Sequence, residues 1–406
     1  MAKPKLALIP ATQGSKLYSV LPADGVGDFT FSRGSAATRI NKDGLIETVA
    51  SGVSRLNYPL IDGVVNGCPS HLLEPASTNL ITYSEDFSDA SWIKLGAGTG
   101  SAAVVTPNYS ISPDGTQNAT RLQCDLNGGT TSSDQSLVYV IPSGSSNTYT
   151  NSFYVKGVSG QAFAIGRDLN NKKIILTDGT WQKVDFSYTN TPIIFIGSRG
   201  TYGSDDVLDI QIFAAQLEQQ SYATSYISTS GSAVTRSAET ATNSADASTF
   251  NDSDGVLMAE VSALHNELIS RTISINSGSS NRVFVQFRAS GTEVLSGVVV
   301  GGLVQGSTMP LSISQTSNIK LAIKYKLNDF AFWVNGFEVG TSSGNVFPNG
   351  TLNDLSFDSG DGAEDFYGNT KQLQYFDSAL NDSDLETLTS WVSFTDLANG
   401  QLYSIK

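Results

Sequence analysis

From Ile319 to Leu327 apolar and polar side chains alternate without a break: Ile319, Leu321, Ile323, Tyr325 and Leu327 fall on one face, Lys320, Ala322, Lys324 and Lys326 on the other. A period of two belongs to a pleated strand with one buried face, and a helix cannot present it. The chain then breaks at Asn328-Asp329, extends from Phe330 to Val334 and meets Asn335-Gly336 before Phe337 to Val339. Asn-Gly supplies the two positive-φ positions of a type I′ turn, so a hairpin is expected here.

An earlier block is written in the same way. Ser152 to Lys156, Trp181 to Tyr188, Ile193 to Ile196 and Val207 to Leu217 are apolar or alternating runs separated by Gly, Asn, Asp and Pro. Thirty-eight glycines and a charged fraction of only 15% suit short strands and polar turns better than long charged helices. One helix is expected, where Ser383 and Glu386 form a capping box before Leu385, Leu388, Trp391 and Val392. At 406 residues the chain is too long for a single core. The expected fold is all-β: an extended N-terminal segment over 1–82, an antiparallel jelly-roll sandwich over 83–237, a linker over 238–254 rich in Ala, Ser, Thr, Asn and Asp, and a second sandwich over 255–406 ending in the helix.

Charge narrows the partners. The formal net charge is −14, and the 24 basic residues never gather into a run that would follow a phosphate backbone, so nucleic acid is not expected. The apolar stretch after Met1 is too short for a secretory leader and no stretch is long enough for a membrane span, so a soluble chain without membrane insertion is expected. Cys68 and Cys124 form neither a disulfide framework nor a zinc pattern and read as free thiols. With His71 and His265 the only histidines, and neither beside a nucleophile, a hydrolytic triad is not expected. Two carboxylates suffice for glycoside hydrolysis, and Asp382, Asp384 and Glu386 would share one face of a strand. At the start of a helix they diverge, and capping is the better role. No enzyme is expected.

Phe31-Ser-Arg-Gly-Ser-Ala-Ala-Thr-Arg39, Gly44-Leu-Ile-Glu47 and Leu73-Glu-Pro-Ala-Ser-Thr-Asn-Leu-Ile81 resemble a recurring N-terminal segment of phage tail-fibre and virion structural proteins. Tyr83-Ser-Glu-Asp-Phe-Ser-Asp-Ala-Ser-Trp92 is similar to the phrase that opens a carbohydrate-binding-module-like jelly-roll in that group. Asp178-Gly-Thr-Trp181, Asp209 to Glu218 and Ala233-Val-Thr-Arg236 look like its closing half. Trp333-Val-Asn-Gly336, Phe366-Tyr-Gly368 and Leu373 to Leu380 resemble the laminin-G or concanavalin-A-like sandwich. The resemblance implies a virion appendage, a fibre, spike or head-decoration subunit. Its N-terminal segment would join other virion proteins and its sandwiches would meet a host surface glycan. Extended glycine-rich segments usually gain order from neighbouring chains, so a homo-oligomer, a homotrimer, is the expected packing.

Sugar rings favour aromatic faces and directional polar groups. In the jelly-roll the candidates are Trp92, Tyr154, Trp181, Arg199 and Tyr202, and in the second sandwich Trp333. The resemblance also implies a structural calcium ion near the ends of the jelly-roll, held by Glu85, Asp86 and Asp209. A second acidic loop, Asp358, Asp361, Glu364 and Asp365, offers hard oxygen donors as well. Purely architectural cement between virion subunits and a glycan depolymerase are the rival expectations.

Overall fold

The computed structural model describes residues 3–13, 16–21, 25–61, 63–266, 268–308 and 310–391. They are nearly all β, with 49% strand and 2% helix. No helix among them is long and apolar enough to cross a membrane.

The jelly-roll is built from one continuous stretch of chain. One five-stranded sheet runs Ile93–Ala97, Gln135–Val140, Ile194–Arg199, Ala162–Gly166 and Lys172–Leu176. The other runs Val104–Ser110, Ala119–Asp125, Val207–Glu218, Asn147–Gly157 and Gln182–Asn190. Alternate residues from both sheets, among them Leu122, Phe153, Phe163, Ile165, Ile196 and Ile210, meet in an apolar core. Alternation fails at one informative place. Ile210 and Ile212 point inward, as do Ala215 and Leu217, so the parity flips between them. The extra residue is Ala214, at φ 59°, opposite a register shift between Ser152 and Tyr154. This bulge keeps the rest of the strand in the core while turning Phe213 and Ala214 to the outer face, where they pack with Ile46 and Tyr226.

The second sandwich is discontinuous in sequence. Its facing sheet runs Leu303–Ser307, Glu293–Val300, Arg282–Phe287, Arg271–Asn276 and Asp354–Ser356. Its larger sheet takes Asp254–Ala263, Ile319–Lys326, Phe330–Val334, Phe337–Ser342 and Gly368–Phe376 from the C-terminal region, then continues into the first residues of the chain. Leu6–Gln13 pairs with Gly368–Phe376, and Ser70–Leu73 pairs with the same strand near its start. Leu6, Leu8, Leu17, Phe29 and Leu73 are buried in the core of this sandwich beside Leu257, Ile323 and Phe332. The N-terminal segment is extended, as expected, but its strands complete the second sandwich, and the jelly-roll is inserted between them and the remainder.

The stretch expected as a linker also lies on that sandwich. Thr240–Thr242 pairs with Thr30–Ser32, and the Asp252 carboxylate accepts from the backbone N–H groups of Gly350, Thr351 and Leu352. It is a surface-hugging connection tied at both ends.

The Asn335-Gly336 turn forms with φ 49° and 87°, and Val334 pairs with Phe337 across it. Ile319, Leu321, Ile323 and Tyr325 are buried as the alternation requires, while Leu327 lies beyond the strand and is 55% exposed. The opposite face is covered too, because the helix Asp382–Thr389 lays Leu385 and Leu388 over Ala322, Ala331 and Trp333. The cap of that helix is Asn381, whose side chain accepts from the Asp384 N–H at 2.9 Å. The expected capping residue, Ser383, already lies inside the first turn. Val392 lies outside the described residues.

Candidate binding cleft

Where the N-terminal segment crosses the jelly-roll, charged side chains are buried together. Arg33 donates to Glu239 at 2.6 Å, and Arg55 donates to Glu239 through both Nε and Nη2. Arg55 also pairs with Glu74 at 2.8 Å, and Arg236 pairs with Glu74 at 3.1 Å. These five side chains are between 0% and 3% exposed. Burial works against the charged form of Glu74, but the Arg236 and Arg55 guanidiniums and two donors from Ser225 outweigh it and hold the carboxyl down at about 2. Glu218 continues the group, accepting from Ser77 and from Thr224. Arg33 and Glu74 lie in the phrases that carry the virion resemblance and Arg236 in the one that resembles the closing half of the jelly-roll, and their side chains are spent within the chain.

His71, between Ser70–Leu73 neighbours in the same seam, is fully buried with its ring set edge-on to Phe31 and Phe357. Burial and the nearby Arg55 charge hold its imidazole down at about 3, so it is neutral at ordinary pH. This is a structural histidine, as is His265, whose ring stacks on Tyr222 at 5.2 Å.

Above the seam lies an open cleft of about 550 Å³. Its walls come from three parts of the chain: Arg39, Asn57, Tyr58 and Leu60 from the N-terminal segment, Tyr154, Asp178, Trp181, Gln182 and Lys183 from the jelly-roll, and Leu264 and Asn369 from the second sandwich. Trp181 is held by a hydrogen bond from its indole N–H to the carbonyl of Ile111 at 3.2 Å. Trp181 and Tyr154 are partly buried against the Phe213, Ala214 and Tyr226 cluster that the bulge creates. The cleft thus offers aromatic faces, amides and charged groups on one concave surface, the combination that recognises polyhydroxylated rings.

Two of the six residues expected to touch a glycan, Tyr154 and Trp181, are brought together here. The others are placed elsewhere. Trp92 is fully buried in the jelly-roll core, its ring tilted against Phe87 at 4.7 Å and its N–H donated to the Tyr83 carbonyl. Tyr202 is 3% exposed, packed on Phe195 and held between the Arg199 guanidinium at 4.6 Å and the Lys172 ammonium at 4.8 Å. Its faces are occupied by its own chain, so Arg199 and Tyr202 brace the outer surface of the other sheet. Trp333 is 7% exposed under the C-terminal helix. An aromatic residue in a strand signals a buried face without saying what buries it. Tyr58 and Lys183 escaped sequence reasoning because their place depends on contact between segments more than a hundred residues apart; only the outward parity of Lys183 in Gln182–Asn190 pointed to the surface.

The carboxylates expected at calcium have separate partners. Glu85 accepts from the Tyr226 hydroxyl at 2.8 Å and from Ser228, Asp86 accepts from the N–H of Ser88 in its own turn, and Asp209 pairs through both oxygens with Arg121. Among the described residues no group of three or more His, Cys, Asp or Glu side chains is arranged to hold a metal ion. Asp382, Asp384 and Glu386 lie on the C-terminal helix. Cys68 is exposed, Cys124 is buried, and both are free.

No protein-family model and no curated protein matches the chain. Among solved structures it is similar to the carbohydrate-binding module CBM40 of the Ruminococcus gnavus IT-sialidase, bound to alpha2,3 sialyllactose, at 14% identity and TM-score 0.30 over 37% of this chain and 94% of that one. It is similar to domain 4 of AbnA, an extracellular arabinanase of Geobacillus stearothermophilus in complex with arabinotriose, at 14% identity and TM-score 0.31 over 38% and 73%. Mouse laminin alpha1 domains LG4-5 align at 10% identity and TM-score 0.24 over 71% of this chain and 93% of that one.

Proposed function

We propose that the chain is a non-enzymatic glycan-binding subunit of a phage appendage, and that the cleft between its N-terminal segment and jelly-roll receives the sugar. The observation that carries this reading is the convergence of Trp181, Tyr154 and Tyr58 with Asn57 and Gln182 around an open hollow of about 550 Å³. That size suits one or two sugar units, and a hollow walled by three chain segments is pre-formed by the fold, so little ordering is needed on binding. The phage assignment is supported by the phrases around Arg33 and Glu74 alone. The non-enzymatic assignment is supported by the placement of the Asp382, Asp384 and Glu386 triplet on a helix.

Titration of the full chain with host surface polysaccharide tests the cleft. Trp181→Ala is expected to weaken binding by at least about tenfold, the scale of one lost stacking contact, and Trp181→Phe to retain most of it. Undiminished binding by Trp181→Ala would move the site elsewhere. Antibody labelling of purified phage particles tests the appendage: particles without the chain would sink that half of the proposal.

A further inference from the structure

The charged group beneath the cleft is balanced within itself and leaves one cation at its edge. Arg33, Arg55 and Arg236 face Glu74, Glu218 and Glu239 in the buried seam, three cations against three carboxylates, while Lys183 stands at the edge of the seam on the exposed face of its strand. Each guanidinium has a carboxylate partner in the seam. Lys183 has none within 4 Å among the described residues; its ammonium donates to the carbonyl of Thr224 at 2.8 Å and borders the cleft. The other charged groups nearby are engaged. Asp185, on the same face of the strand, is turned to Lys173 at 3.8 Å, Arg39 at the rim is paired with Glu47 at 2.9 Å, and Asp178 caps the turn at Thr180. An ammonium has three donors and no acceptor, so two N–H directions of Lys183 are left for whatever enters the cleft.

Accordingly we propose that the cleft selects acidic saccharides, Lys183 receiving the carboxylate of one sugar unit while the ring of that unit or its neighbour lies on Trp181. The selection rests on the cleft being a glycan site. Lys183 stands on the exposed face of its strand, so an ion pair there is worth little by itself and gains from the concavity, whose low-dielectric walls focus the field of the ammonium on an entering carboxylate. A neutral ligand of equal shape would form no such pair, and where it covers the ammonium it would displace water without replacing its hydrogen bonds. Discrimination therefore comes from both the pair formed and the pair missing.

The test offers the full chain matched probes: oligosaccharides of alginate, polygalacturonate and hyaluronan, each beside its carboxyl-reduced form, with affinities read by calorimetry. For at least one pair the acidic form is expected to bind at least about tenfold tighter. In Lys183→Met, checked for an unchanged melting temperature, that preference is expected to fall to within about twofold, and Lys183→Arg is expected to keep it. Equal binding of both forms by the native chain overturns the acidic selection and leaves the glycan cleft standing. A preference that survives in Lys183→Met overturns the role of Lys183. Failure of every pair, acidic and reduced, to bind overturns the glycan reading and this inference with it.

Discussion

Each of the two sandwiches buries an apolar core, but they are closed by different means. In the jelly-roll the strands follow one another in sequence, and apolar side chains such as Leu122, Phe153 and Ile210 supply the core. The second sandwich is closed by strands from the opposite end of the chain, and the seam beside it is fastened by ion pairs such as Arg33 with Glu239, 206 residues apart. An apolar core tolerates exchanges of similar volume and is indifferent to pH. A buried ion pair contributes little net stability against an apolar replacement, yet removing one partner strands the other charge in a poor solvent. The jelly-roll is thus the robust half, and the joint that holds the inserted jelly-roll to the first strands is the vulnerable one.

Glu239→Ala is the strongest way to break this contrast. Glu239 accepts from Arg33, from Arg55 twice and from the N–H of Glu74, so its loss leaves two buried guanidiniums short of a partner. The expected cost is about 3–5 kcal/mol. In scanning calorimetry the transition of the second sandwich should move down and separate from that of the jelly-roll, which should stay in place. A single transition that moves as a whole would show that the two sandwiches melt as one unit and that the contrast is only local.

Acid should act on the same half. His71 has a folded pKa lowered to about 3 against an unfolded value near 6.5, so between those pH values the unfolded state binds the extra proton and stability falls as pH falls. Glu74, held at about 2 against an unfolded value near 4.3, adds a loss of the same sign that begins lower and is complete below pH 2. Together they predict that the seam gives way on acidification from about pH 6, with His71 alone worth on the order of 4 kcal/mol by pH 3. His71→Leu keeps the volume, removes the titration and should flatten the curve between pH 6.5 and 3. An unchanged curve would mean that other groups set the acid limit.

What could be read from the sequence follows from the same division. Period-two runs, the Asn-Gly hairpin and the strand breaks are local signals, and the strands they indicate at 319–326, 182–190 and 207–218 are present. The role of the first 73 residues was hidden because pairing of Leu6–Gln13 with Gly368–Phe376 spans almost the whole chain and leaves no local mark. The bulge at Ala214 was hidden for a related reason: one inserted residue flips parity only when the partner strand is known. The place of Trp181 at the rim follows a local signal, the turn that precedes it. What covers Trp92, Tyr202 and Trp333 left no local mark, since their type records burial and not its agent. Lys183 became visible only as an exposed ammonium in the wall of a cleft that distant stretches of the chain build together.

The smallest expected effect lies at the edge of the vulnerable half, on the helix that covers Trp333. Asn381→Ala removes the side-chain acceptor of the Asp384 N–H and should cost about 1 kcal/mol, the usual worth of a helix cap. Ser383→Ala, at the position that sequence pattern favours for the cap, should cost less than about 0.5 kcal/mol, as for a surface site away from any special feature. For a sandwich of this size the first change corresponds to about 2–4 °C in the second transition and none in the first. Equal shifts for the two variants would restore Ser383 as the cap. A shift in the jelly-roll transition with Asn381→Ala would instead show that the two sandwiches share their stability through the seam, so that even its outermost helix is felt across the joint.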